Sequence, residues 1–259
     1  MAVVPLDVAA RTHVGYVRRH NEDAYLVLPV QGVLAVADGM GGHRAGEQAS
    51  RIAVDAATGV LMVAQRADRF DDLESLTRVG RALRVANQQV IQAASEDPGR
   101  AGMGTTLVVA MFRDERIFFA HAGDSRLYRL REGGLRQLTR DHSLVQQLVD
   151  QGVFRDRDEA NAAGVGDNVL VRSLGMQGKV EPDVGDALLR AGDLFLLCTD
   201  GLAGKVPDGE IEALMNACGE RLDELADRLV QAALDAGGSD NVTVVVARPK
   251  PVATGSPAS

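Results

Sequence analysis

The 259-residue chain predicts an α+β fold: two mainly antiparallel sheets packed face to face, with helix pairs outside them, a four-layer αββα sandwich. Short apolar runs of strand length predict the sheets, and longer stretches with helical periodicity predict the helices. The third observation is their order. Strands and helices come in blocks rather than in βαβ alternation, and blocks of neighbouring strands build hairpins and antiparallel ladders.

The first strands are AYLVLPV (24–30) and VLAVA (33–37). Two helices follow, over 45–64 and 73–94, each long enough for several turns. A block of strands comes next: TLVVAMF (106–112), RIFFAHA (116–122) and SRLYRL (125–130), rich in β-branched and aromatic residues. Residues 141–167, DHSLVQQLVDQGVFRDRDEANAAGVGD, are polar and poor in strands, with helical spacing over 143–152, and read as a small helical insertion or flap. DLFLLCT (193–199), helices over 207–217 and 221–236, and VTVVVA (242–247) complete the pattern. The tail ARPKPVATGSPAS is dominated by Pro, Ser, Gly and Ala and cannot bury much surface. One domain over 1–248, with a flap at about 141–168 and a disordered tail over 249–259, is the expected organisation.

Composition excludes several function classes. An apolar fraction of 46% and a charged fraction of 25% are those of a globular domain with a sizeable core. No apolar run approaches the roughly 18 to 20 residues that span a bilayer, and MAVVPLDVAARTHVG lacks the basic and apolar regions of a signal peptide, so a cytoplasmic protein is expected. The formal net charge of −8, without a basic stripe, argues against a nucleic-acid surface. Cys198 and Cys218 lack a metal-binding spacing and read as buried free thiols.

The carboxylates carry the chemistry. Asp38 and Asp200 each end an apolar run that looks buried on both faces, Asp124 ends a third, and Asp240 with Asn241 precedes a fourth. Glu22 and Asp23 stand immediately before the strand that pairs with VLAVA. An Asp-Gly pair alone usually marks a turn, and Asp208 keeps that meaning. Four or five carboxylates at one sheet edge are different, because two of them about 4 Å apart repel by roughly 4 kcal/mol at an effective dielectric near 20. Such a cluster protonates, splays or binds cations. All-oxygen ligands favour Mg²⁺ or Mn²⁺, and two such ions can clamp a phosphoryl group and activate a hydroxide. The glycines after Asp38 fit backbone brought close to an ion or substrate.

RRHNEDA (18–24), ADGMGGHRAGE (37–47), GMGTTLV (102–108), AGDSRLY (122–128), LTRDHSLV (138–145), CTDGL (198–202) and SDNVTVVV (239–246) occur in that order. Together they resemble the bacterial branch of the metal-dependent PP2C-type (PPM) protein serine/threonine phosphatases, over residues 5 to 247. The resemblance implies the αββα sandwich with a binuclear Mn²⁺/Mg²⁺ centre. It implies that Asp38 bridges two metals, that the Gly39 carbonyl helps hold one, and that Asp200 and Asp240 complete that set. Asp23 matches an aspartate acting through metal-bound water, with Glu22 beside it, and Asp124 one associated with a third, weaker ion. Arg18 matches the arginine that holds substrate phosphate, and Asn241 is expected to orient Asp240.

The implied reaction is hydrolysis of phosphoserine and phosphothreonine in proteins by a two-metal activated hydroxide, opposing a bacterial Ser/Thr kinase, in a cytoplasmic monomer. Two other readings stand beside it: a regulatory phosphatase for an anti-sigma-antagonist type partner, and a non-catalytic phosphopeptide-binding module. Eukaryotic relatives place a histidine directly after the Asp-Gly; here that residue is Met40, and His43 is the nearest candidate proton donor. His13, His20, His121 and His142 read as structural. ANAAGVGDNVLVRSLG (160–175) keeps Asn168 but lacks the family's His-Pro and has Asp167 where a base is usual, which points to a difference in substrate preference or in the third-metal site.

Overall fold

The inner faces of two sheets meet along Leu34, Val36, Val108, Ala110 and Phe112 from one and Leu127, Phe195, Leu197, Val245 and Ala247 from the other. The computed structural model describes residues 3–41, 44–65, 71–166, 169–176 and 178–250. One sheet has the strand order β2 (Asp23–Leu28), β3 (Val33–Met40), β5 (Leu107–Arg113), β6 (Arg116–Ala122), β9 (Asp183–Leu188), with the short β4 (Gly104–Thr105) on β3. The other runs β1 (Leu6–His13), β11 (Val242–Pro249), β10 (Leu194–Cys198), β7 (Arg126–Arg131), β8 (Gly134–Gln137). Every pairing among these strands is antiparallel.

Period-two alternation divides each central strand between two cores. On β3, Leu34 and Val36 face the opposite sheet, whereas Val33, Ala35 and Ala37 face the helices α1 (Arg44–Gln65) and α2 (Asp72–Glu96). Ala49, Ala53, Ala57 and Leu61 recur every four residues along α1 and meet that face. On the other side Leu194, Leu196, Val244 and Val246 pack under α6 (Asp208–Cys218) and α7 (Leu222–Asp235) through Ile211, Met215, Leu225 and Leu229. Phe112 and Phe195 join the two sheets edge to face, centroids 5.2 Å apart.

All the strands and helices expected from the sequence are present, with ends displaced by a few residues. AYLVLPV stops at Leu28, because Pro29 opens a 3₁₀ turn over Pro29–Gln31. β1, β4, β8 and β9 had no counterpart in the apolar pattern; β1 and β9 are partly exposed edge strands, β8 is four residues long and β4 only two. The flap segment contains α3 (Leu144–Asp150) and α4 (Arg157–Ala162), of which only the first was expected. A one-turn helix, α5 (Asp200–Ala203), follows β10. The carboxyl-terminal strand reaches Pro249, two residues past the expected end at Ala247, and Lys250 N–H donates to the Pro5 carbonyl. The rest of the expected tail, 251–259, lies outside the described residues, as do His43, Asp167 and Asn168. Both cysteines are buried free thiols.

Candidate active site

Asp38 stands where the inner face of β3 changes character. It continues the row Leu34, Val36 at the next inward position, but a carboxylate occupies it. The ladder does not stop there: β3 runs on to Met40, and Asp38 sits directly opposite Asp23 on β2. Like charges directly opposite one another destabilise a sheet.

The same apolar-to-polar change occurs on the neighbouring strands at this end. Thr106 precedes β5, Ser125 precedes β7, Thr199 follows β10, and Thr243 lies near the start of β11. These hydroxyls set the carboxylates in place. Thr199 and Thr243 donate to Asp23 Oδ2 at 2.9 and 2.7 Å. Asp38 N–H donates to Thr106 Oγ1 at 2.9 Å, and Asp38 O accepts from Thr106 N–H and Thr105 Oγ1. Thr106 Oγ1 also shares a 2.7 Å hydrogen bond with Ser125 Oγ, tying the Asp38 strand to the Asp124 loop.

Glycine lets the segments close. A Cβ on Gly39 would lie 2.1 Å from the Gly46 carbonyl oxygen, and one on Gly201 would lie 1.8 Å from that of Asn241. Any larger residue would push α1, or the Asp200 turn, away from the sheet edge.

The result is a cavity of about 980 Å³ lined by Arg18, Glu22, Asp38, Gly39, Asp124, Asp200, Asp240 and Asn241 among others, with Asp23 set behind Asp38. Burial pushes the Asp38 carboxyl well above its ordinary range, reinforced by the charges of Asp23 and Asp200. Burial likewise raises Asp23 to about 7, Asp124 to about 7 with help from Asp200 and Asp141, and Asp200 above its ordinary value. A hydrogen bond with Asp38, and then Lys205 and Arg18, oppose the rise at Asp200 without cancelling it. Asp23 Oδ1 and Asp200 Oδ1 are buried without a hydrogen-bond partner. Such orphaned oxygens, on Asp200 in the cavity wall and on Asp23 behind Asp38, are what a hard divalent cation requires.

The structure thus gathers Asp23, Asp38, Asp124, Asp200 and Asp240 at one end of the sandwich. Arg18 joins them, its Nη2 donating to Asp240 Oδ2 at 2.8 Å while half the side chain stays exposed. Glu22 reaches the cavity wall, and its carbonyl accepts from Gly39 N–H and Ser50 Oγ. Asn241 touches Asp240 through its backbone and other segments through its side chain. Its backbone N–H donates to Asp240 Oδ1, but its side chain accepts from Glu22 N–H and donates to the carbonyls of Val14 and His20, clamping the Arg18 segment onto β11.

Sequence reasoning missed the threonine supports and a buried ionic cluster at the rim. Asp141 accepts from Arg126, Gln137 and, on the flap helix α4, Arg157. The signal for Thr199 and Thr243 was present, since each occupies the inward position next after an apolar row; no local signal ties Asp141 to Arg157. Met40 and His20 also line the cavity.

Comparison with known proteins agrees with this geometry. The family model described as Protein phosphatase 2C matches residues 15–239. The serine/threonine phosphatase stp of Listeria welshimeri is 38% identical over 239 residues, covering 91% of this chain and 93% of that protein. The serine/threonine protein phosphatase PstP of Mycobacterium tuberculosis is 41% identical over 243 residues, 93% of this chain, which spans only 45% of that longer protein. A crystal structure of the M. tuberculosis phosphatase PstP/Ppp superposes with a TM-score of 0.86 at 38% identity, covering 96% of this chain and 100% of that one. Another, of the PstP catalytic domain in complex with two manganese ions, has a TM-score of 0.81 at 39% identity, covering 95% of this chain and 98% of that one. The chain belongs to the protein phosphatase 2C family.

Proposed function

We propose that this protein is a metal-dependent phosphoprotein phosphatase that hydrolyses phosphoserine and phosphothreonine, with Mn²⁺ or Mg²⁺ held at the carboxylate end of the sandwich. One observation carries the reading: several carboxylates, raised by burial and mutual repulsion, converge on one cavity with buried oxygens left unpaired. A set of oxygen donors without cysteine fits hard cations. The similar PstP catalytic domain is described with two manganese ions, which supports the same occupancy here.

In this reading Asp38, the Gly39 carbonyl, Asp200 and Asp240 hold two ions, Asp23 acts behind Asp38, and Asp124 with Asp200 serves a weaker third. Bound there, divalent ions lower the pKa of water toward neutrality and offset the charge of the transferred phosphoryl group. Arg18, paired with Asp240 yet half exposed, is free on its outer side to fork onto a phosphate oxygen. Glu22 and Asn241 hold the Arg18 segment and the start of β2 against β3 and β11. His43 keeps its sequence-based candidacy as proton donor.

The substrates are phosphoproteins, and the opposing enzyme a bacterial Ser/Thr kinase. Among the described residues no helix is long and apolar enough to cross a membrane, which accords with a cytoplasmic setting. The test is hydrolysis of p-nitrophenyl phosphate and a phosphothreonine peptide with Mn²⁺, with Mg²⁺ and with chelator. Activity is expected only with metal, and to be lost in Asp38→Asn. Arg18→Ala is expected to raise KM for the peptide more than it lowers kcat. Full activity after metal removal, or in Asp38→Asn, would sink the reading.

A further inference from the structure

A second cluster of metal-ligating side chains lies apart from the carboxylate cavity. His121 ends the inward row of β6, His142 opens the flap segment, and Asp183 begins β9 directly opposite His121. The two imidazoles stack with centroids 4.6 Å apart and planes 12° from parallel. One ligand atom from each of the three residues lies within 4.8 Å of the others. Tetrahedral Zn–N bonds of about 2.0–2.1 Å set ligand nitrogens roughly 3.4 Å apart, so coordination draws the three groups together and turns the stacked rings until both point at one ion.

The hydrogen bonds show which lone pairs are available. His121 Nε2 lies 2.8 Å from the Arg140 carbonyl and 3.3 Å from the Arg140 N–H; the shorter contact, to the carbonyl, favours the proton on Nε2 and leaves Nδ1 bare. That Nδ1 is buried without a partner on a residue only 3% exposed. His142 Nδ1 accepts from Gly123 N–H at 3.1 Å, so Nε2 carries the proton, 3.2 Å from Asp183 Oδ2. Arg172 Nη1 sits 3.0 Å from His142 Nε2 and donates to Asp183 Oδ1 at 2.5 Å. A cation therefore already stands at this carboxylate. Asp183 is half exposed and gives solvent a route to two buried imidazoles.

We infer that His121, His142 and Asp183 form a second metal site, selective for a late first-row divalent cation such as Zn²⁺, with Arg172 as the competing internal cation. Two imidazoles and one carboxylate suit Zn²⁺, Ni²⁺ or Co²⁺ and discriminate against Mg²⁺. Binding displaces the Arg172 guanidinium from Asp183 and moves the His142 proton from Nε2 to Nδ1, with loss of the Gly123 hydrogen bond. Gly123 immediately precedes Asp124, so occupancy is felt at the edge of the carboxylate cavity.

The experiment uses the full chain with excess Mg²⁺ and titrates Co²⁺ while recording visible absorption, because imidazole-bound Co²⁺ of low coordination number absorbs far more strongly than octahedral all-oxygen Co²⁺. One strongly absorbing equivalent, displaced by Zn²⁺, is expected. Asp183→Asn should weaken it by roughly 100-fold or more, beyond what loss of an outer hydrogen-bond partner to a ligand costs. Arg172→Ala should tighten it by about tenfold. Both substitutions fall at accessible positions, and circular dichroism checks that each variant is folded. In imidazole NMR, Zn²⁺ should move the resonances of His121 and His142 among the five histidines. The site is refuted by absence of the strong absorption, by unchanged affinity in Asp183→Asn, by weaker binding in Arg172→Ala, or by Zn²⁺ moving only His13 or His20.

Discussion

Replacing Asp141 by alanine should cost this protein about 3 kcal/mol of stability. The carboxylate is 1% exposed and takes three hydrogen bonds from Arg126, at 2.9, 3.1 and 2.8 Å, besides those from Gln137 and Arg157. Arg126 is itself 8% exposed, so Asp141→Ala strands a buried guanidinium, a change that costs about 3–5 kcal/mol in comparable pairs. Arg126 keeps the Tyr128 hydroxyl at 2.7 Å and lies 3.7 Å from Asp208, which favours the lower end. For a chain of this size about 3 kcal/mol lowers Tm by roughly 6–12 °C. The neighbouring arginines hold the folded pKa of Asp141 below its ordinary value against the opposing effect of burial. The stabilisation is therefore fully present above the unfolded pKa near 3.8 and is lost as pH falls through the lower folded value. Urea unfolding at pH 7 measures the loss, repeated at pH 5 to confirm that it persists. The double variant Arg126→Met/Asp141→Leu, which removes the stranded charge, should recover part of it. A loss under about 1 kcal/mol, or a double variant no more stable than Asp141→Ala, would refute the argument.

Three further predictions follow from the site and the core. In chelator, stability should fall as pH rises from about 4 to about 7, because folded Asp23 and Asp124 keep protons until about 7 that the unfolded chain releases near 3.8; a flat thermal-unfolding profile over that window would contradict the raised values. Gly201→Ala should destabilise the protein and abolish metal-dependent phosphatase activity, since its Cβ would lie 1.8 Å from the Asn241 carbonyl oxygen; wild-type thermal stability and activity would show that the turn has room. Cys198, with its thiol pushed up to about 12 by burial, and the buried Cys218 should resist a thiol reagent in the native state and react on unfolding; rapid native labelling would show that these layers open.

Legibility in the sequence followed burial. β3, β5, β10 and β11 are covered on both faces over most of their length and stand out as apolar runs. The edge strands β1 and β9 are partly open to solvent, so a mixed sequence such as LDVAARTH or DVGDAL satisfies them and carries little signal. The carboxylates were legible for the same reason: an aspartate interrupting or ending a run buried on both faces is costly unless something binds it. His121 and His142 were not, because each alone is an ordinary histidine; only the β6–β9 pairing and the fold-back of residue 142 stack them beside Asp183.

By itself the sequence determined the layered α+β class, the central strands, most of the helices and the identity of the acidic residues. Those follow from local periodicity and from the cost of burying charge, which each segment carries in its own residues. Tertiary structure decided which polar groups support them. Thr199 and Thr243 reach Asp23 from more than 170 positions away, Asn241 clamps the segment leading to Glu22, and Asp141 joins a sheet arginine to a flap arginine. Such contacts arise from strand register and from loops brought across the sandwich, and no local pattern encodes them.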